Sequence, residues 1–185
     1  MSRKEIKNSI ESQPFKGLKV YYSGSIKGVP EQDPQFPWKL VKYMSERGAD
    51  VLSEHVAART PEEMESIRAS RIGEKVKEII GHPEPWFTVR EIDVEWVDKA
   101  THVVSLVNTP SHGVGMEIER ALLKPKIGLN FTPILCLIKE DFLEKLSYMV
   151  RGIKDEGFFL KTYQNIFDAK SLVNDFLLGK LKKSK

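Results

Sequence analysis

Residues 101–107 read THVVSLV and lead directly into the loop Asn108-Thr109-Pro110-Ser111-His112-Gly113-Val114-Gly115. A run that stays apolar, with no in-and-out alternation, suits a strand covered on both faces, as in a parallel sheet flanked by helices. Residues 133–138 (PILCLI) have the same character. Working outward, residues 18–23 (LKVYYS) predict a first strand that ends in the Gly-containing loop 24–28. A Pro-rich segment, 33–37, leads into a helix over 38–47 stopped by Gly48, and 50–54 (DVLSE) predicts a second strand.

Residues 60–81 are charged and helical in pattern, opening with Thr60, Pro61 and Glu63, a cap followed by proline at the first helical position. After a break at 81–85, residues 86–100 carry helical periodicity through Val89, Ile92, Trp96 and Val97. Further helices are predicted at 115–123, near 142–150 and at 166–181, with a last strand at 158–163. Five strands and about six helices predict an α/β fold. The expected architecture is a three-layer sandwich around a five-stranded parallel sheet, flavodoxin/Rossmann-like, with strand order 2-1-3-4-5. One domain over 18–179 is expected, with an N-terminal extension at 1–17 and a Lys-rich tail at 180–185.

Composition narrows the function classes. The 185 residues are 41% hydrophobic and 30% charged, an ordinary globular mix. The formal charge of +3 invites a polyanion, but Lys180, Lys182, Lys183 and Lys185 supply it. Removing these four from the 29 Lys and Arg leaves 25 against 26 Asp and Glu, a body of net −1. Nucleic acid is therefore not the expected partner. Apolar stretches reach only five or six residues, so no membrane span is expected. The N-terminus lacks an apolar signal core. A single cysteine, Cys136, excludes an internal disulfide and suits a cytoplasmic or nuclear setting. His55, His82, His102 and His112 show no metal-ligand spacing, so neither metal nor cofactor is expected.

In open α/β sheets, ligands sit beyond the carboxyl ends of strands where the strand order reverses. The expected order places that crevice between the loops after strands one and three. In the second of these, Ser111, Gly113 and Gly115 precede a predicted helix, so backbone N–H groups and a hydroxyl converge where an anion is favoured. Glu117 falls in the first helical turn on this reading, where the helix dipole would keep it ionised and fit to act as a nucleophile. The bland alternative is capping with no chemistry. Asp93 shares a stripe with Val89, Trp96 and Val97, so it faces the protein, where a carboxylate is costly unless paired or functional. Desolvation beside Glu117 would raise its pKa and suit it to donate a proton, and two carboxylates with opposed tasks is the logic of retaining glycoside chemistry. The alternative is an ion pair at a wet edge. Tyr21 and Tyr22 alternate across strand one, so only one can look toward a given face. A phenol there could orient a carboxylate, and the alternative for either is aromatic packing against a helix.

Several pieces occur together and in order: Tyr21-x-x-Gly24-Ser25-Ile26, Ser53-Glu54-His55-Val56-Ala57, Asp93-x-x-Trp96, Pro110-Ser111-x-Gly113-Val114-Gly115-x-Glu117, Ile134-Leu135-Cys136-Leu137 and Leu146-Ser147-x-Met149-x-Arg151-Gly152. As a set, from about Lys19 to Gly152, they resemble the 2′-deoxynucleoside 5′-phosphate N-hydrolases, a branch of the nucleoside 2-deoxyribosyltransferase family. The resemblance implies hydrolysis of the N-glycosidic bond of a 2′-deoxynucleoside 5′-monophosphate to free base and 2-deoxyribose 5-phosphate. Glu117 matches the nucleophile, Asp93 the carboxylate that assists departure of the base, and Tyr21 the residue that positions the nucleophile. Gly24, Ser25, Ile26, Lys27, Ser111, Gly113 and Gly115 match groups around the 5′-phosphate. His55 matches a histidine beside the site. Ser147 matches a serine that reaches the phosphate site of a neighbouring subunit, so the resemblance implies a homodimer. Two departures stand out: Lys27 replaces an expected arginine, which keeps charge but loses the bidentate fork, and a charged helical insert lengthens the chain at about 60–85.

The residues leave rivals open. The same chemistry could serve a deoxyribosyltransferase on unphosphorylated nucleosides, or a ribonucleotide N-hydrolase acting on CMP. A non-enzymatic nucleotide sensor is the alternative from a different class.

Overall fold

The computed structural model describes residues 13–26 and 33–182. Five parallel strands, β1 (Lys19–Gly24), β2 (Asp50–Val51), β3 (His102–Leu106), β4 (Ile134–Lys139) and β5 (Phe158–Tyr163), stand in the order β2-β1-β3-β4-β5. This is the predicted order. The central register pairs Tyr21 with Val103, Ser23 with Ser105 and Gly24 with Leu106. Strands β3 and β4 are buried on both faces, which is why their sequences do not alternate. Helices α1 (Phe36–Glu46) and α6 (Ile166–Leu177) cover one face with Tyr22, Leu135 and Leu137. Helices α3 (Pro85–Lys99) and α4 (His112–Leu123) cover the other with Tyr21, Val103 and Ile134. Phe15, ahead of β1, is fully buried in the first of these layers.

Four local expectations are corrected. Strand β2 stops at Val51 rather than running to 54. The Ser53 hydroxyl bridges β1 by accepting from the Tyr22 N–H (2.8 Å) and donating to the Tyr22 carbonyl (2.6 Å), and the chain then turns through a short 3₁₀ helix, Glu54–Ala57. The charged segment yields α2 (Pro61–Ile72), not one helix to 81. Thr60 caps it by accepting from the Glu63 N–H at 3.1 Å, and Gly73 ends it at φ +55°, after which a 3₁₀ helix covers Gly73–Glu78. The helix expected near 142–150 is interrupted. Leu146 turns inward and Ser147 is extended, leaving a 3₁₀ helix at Glu140–Lys145 and a single α-turn, α5 (Tyr148–Arg151). The last helix ends at Leu177 rather than 181, just before Gly179 at φ +67°.

Two fastenings differ in kind. Helix α2 buries no residue. It is held through Arg71, whose guanidinium donates to the Asp50 carboxylate (2.6 Å) and the Val51 carbonyl (2.8 Å) and pairs with Glu54 (3.4 Å). Helices α3 and α4, by contrast, are clamped twice, once at a half-exposed ion pair and once in the interior. Arg120 forks onto both oxygens of Asp98 (2.8 and 2.7 Å). The fully buried Lys124 ammonium donates to the carbonyls of Val97 (3.1 Å) and Ala100 (2.8 Å) and to the Thr132 hydroxyl (2.6 Å). Those carbonyls end α3, where a cation is favourable. No helix among the described residues is long and apolar enough to cross a membrane.

Candidate active site

Alternation on β1 sends Tyr21 and Ser23 to the same face, toward α3 and α4. There they meet Glu117. The Tyr21 hydroxyl donates to Glu117 Oε1 at 2.9 Å and the Ser23 hydroxyl donates to Oε2, so each carboxylate oxygen has its own O–H donor. Asp93, one turn before Trp96 on α3, stands close enough to raise the energy of a second negative charge. Tyr21, Asp93 and Glu117, 24 to 96 positions apart in sequence, thus form one buried cluster.

Burial sets the electrostatics. It pushes the Asp93 carboxyl up to about 7, with the Glu117 charge adding to the rise and Arg68 and the Tyr21 hydroxyl opposing it. Burial raises Glu117 as well, against the two hydroxyls that hold it down. Burial and the two carboxylates keep the Tyr21 phenol firmly protonated, and so a donor. One expectation about Glu117 is therefore wrong. Helix α4 begins at His112, not 115, which places Glu117 in the second turn, where the dipole has faded. For the same reason Gly113 and Gly115 lie inside the first turn of α4 rather than ahead of it.

The remaining candidates surround this cluster. Gly24 and Ser25 line a crevice with Asn108 and Thr109, which joins the loops after β1 and β3 as the switch-point argument requires. Ile26 is exposed, and Lys27 lies outside the described residues. Ser111 caps α4, accepting from the Val114 N–H at 3.5 Å. It opens onto a groove of about 430 Å³ shared with Gly115, Lys145 and Ser147. Ser147 is exposed and caps α5, accepting from the Met149 N–H. His55 is buried against the Trp96 ring (5.4 Å between centroids), its pKa driven down to about 4 by burial and by Arg68.

Sequence reasoning missed two residues. Ser23 could have been found, because it lies two positions after Tyr21 on the same strand and must share its face. Arg68 could not, since α2 has no apolar stripe to say which side looks inward.

Comparison with known proteins adds the family. No family model matches the chain. "Putative 2′-deoxynucleoside 5′-phosphate N-hydrolase 1" of Trichoplax adhaerens is 32% identical over 145 residues, 78% of this chain and 83% of that protein. The 5-hydroxymethyl-dUMP N-hydrolase of Homo sapiens is 33% identical over 140 residues, 76% of this chain and 68% of that protein. Among solved structures, the CMP N-glycosidase of Clostridium botulinum superposes with a TM-score of 0.52 at 14% identity, covering 84% of this chain and 97% of that one, a likeness of fold. With its switch-point carboxylates and these relatives, the chain belongs to the 2′-deoxynucleoside 5′-phosphate N-hydrolase family.

Proposed function

We propose that the protein hydrolyses the N-glycosidic bond of 2′-deoxynucleoside 5′-monophosphates, releasing the free base and 2-deoxyribose 5-phosphate. The observation that carries this reading is the pairing of Glu117, gripped by two hydroxyls, with Asp93, held protonated near neutrality. A Glu117 oxygen attacks C1′ and the C1′–N bond breaks. The bonding pair leaves with the base, which takes the Asp93 proton on one of its acceptor atoms. Water then attacks C1′ of the glycosyl ester, gives its proton to the Asp93 carboxylate and frees Glu117. Tyr21 and Ser23 fix which lone pair of Glu117 faces C1′. A deoxy sugar suits this path, because its cation-like transition state lacks an electron-withdrawing 2′-hydroxyl.

The 5′-phosphate is assigned to the α4 N-terminus at Ser111, with the loop of Gly24, Ser25, Ile26 and Lys27 alongside. Ser147 is assigned to the phosphate of a second subunit in a homodimer, a reading supported by exposed Met116 on α4 and exposed Tyr148 and Met149 on α5. The buried thiol of Cys136 suits a reducing, cytoplasmic setting. Incubation with dNMPs, their ribo counterparts and deoxynucleosides, with free base quantified, tests the reading. Glu117→Gln is expected to lower base release at least 10³-fold, about 4 kcal/mol of barrier. Near-wild-type release by that variant would overturn the mechanism, and faster release from unphosphorylated nucleosides would overturn the substrate class.

A further inference from the structure

Arg68 stands out among the arginines of its segment. Arg59 pairs with Glu63 and Arg71 with Asp50, both serving the placement of α2. Arg68 is half-buried and, among the described residues, makes neither an ion pair nor a hydrogen bond. It lines a slot with Ile79, Asp93, Trp96 and His55, whose buried Nδ1 has no partner. The slot holds about 10 Å³, roughly the room of one water, and therefore accepts a single exocyclic atom rather than a ring.

We propose that Arg68 is a specificity-determining residue, selecting nucleotides whose base turns a ring carbonyl, rather than an exocyclic amine, toward the Asp93 slot. The inference rests on the hydrolase reading above. A guanidinium offers five donors and no acceptor, so it can only reward an acceptor atom. Guanine presents N7 and O6, both acceptors, on one edge, whereas adenine pairs N7 with an amine. With protonated Asp93 donating to N7, Arg68 meets O6 of guanine favourably and N6 of adenine donor to donor. The same contrast separates O4 of thymine or uracil from N4 of cytosine. His55 adds no sign of its own, because its neutral ring donates or accepts according to tautomer. The reader is thus carried by the inserted helix, apart from the elements that hold the two carboxylates.

Arg68 also bears on Asp93 electrostatically, together with Glu117 and Tyr21. Loss of its charge shifts the alkaline limb of the pH profile upward for every substrate alike, so a ratio between substrates cancels that effect. The test measures kcat/KM for dGMP, dAMP, dTMP and dCMP with the wild type and with Arg68→Met, Arg68→Gln and Arg68→Lys. Arg68→Met and Arg68→Gln are expected to lower the dGMP/dAMP and dTMP/dCMP ratios about tenfold or more. Arg68→Lys, which keeps charge and donors, is expected to retain much of both ratios. Ratios unchanged in Arg68→Met and Arg68→Gln, even with all four rates depressed together, would overturn the inference and leave the hydrolase reading standing. No base released by the wild type from any of the four would sink both.

Discussion

Replacing Asp93 by Asn removes a carboxyl that burial holds at about 7 in the folded chain, against 3.8 for an unhindered aspartate. Between those pH values the folded state binds the extra proton, so Asp93 lowers stability progressively as pH rises through the window. The cost is complete above about pH 7 and absent below pH 3.8. At about 1.4 kcal/mol per pH unit the displacement has a ceiling of roughly 4 kcal/mol. Partial solvent access at the cleft brings a realistic figure nearer 2 kcal/mol. Asp93→Asn is therefore expected to be more stable than the wild type by about 2 kcal/mol at pH 8, a Tm increase of roughly 4–8 °C, with the gap closing toward pH 4. The same substitution removes the proton donor and is expected to cost about 10²–10⁴ in turnover. Urea or thermal unfolding of both proteins at pH 4.5 and pH 8 measures the gap at each pH. Glu117 and His55 titrate in both proteins and largely cancel in the difference. A gap of the same size at both pH values, or an Asn variant less stable at pH 8, would refute the assignment of a destabilising, desolvated carboxyl.

Further outcomes follow from the same contacts. Tyr21→Phe and Ser23→Ala each remove one donor from Glu117 and are expected to lower kcat about 10–100-fold. Their double mutant should fall short of the product, because both act on one carboxylate, and steady-state kinetics with dGMP read this directly. Lys124→Met takes the ammonium from the carbonyls of Val97 and Ala100, the second of which keeps the Thr132 hydroxyl, and is expected to cost about 2–4 kcal/mol in urea unfolding, with activity per folded molecule also reduced. Arg71→Ala breaks partly exposed ion pairs and one hydrogen bond to the Val51 carbonyl. Global stability should fall by about 1 kcal/mol or less, while hydrogen exchange in residues 61–72 accelerates markedly.

Much of this molecule could be read before its coordinates. Uninterrupted apolar runs at β3 and β4 announce a two-sided parallel sheet, and the two loops of odd composition fall at its switch point. Glu117 is nameable from its place at a switch-point helix entry, whereas alternation on β1 keeps Tyr21 level with Tyr22 until the family resemblance chooses between them. Where the reading failed, some causes were local, as with Gly73 at the end of α2, and others were tertiary. The Ser53 hydroxyl shortens β2 by taking over the backbone of Tyr22, and the inward turn of Leu146 breaks a helix whose local pattern was continuous. The start of α4 moved by three residues, enough to take Glu117 out of reach of the dipole and leave burial and hydroxyls to set its charge. Lys124, an apparent surface lysine by composition, is interior because two helix-terminal carbonyls and a threonine need a donor.

The two fastenings of the molecule divide what can change from what cannot. The helices bearing Asp93 and Glu117 are joined by the half-exposed Arg120 fork and by Lys124 within the interior, so their mutual placement tolerates little editing. The helix bearing Arg68 is tied mainly by polar contacts through Arg71, with no buried side chain of its own. Substitutions along α2 thus accumulate at small cost to folding, and the bond-breaking apparatus feels them only through the charge of Arg68 beside Asp93. A lineage carrying this chain can redraft its choice of base by rewriting one loosely moored helix, while the machinery that cuts the bond is inherited intact.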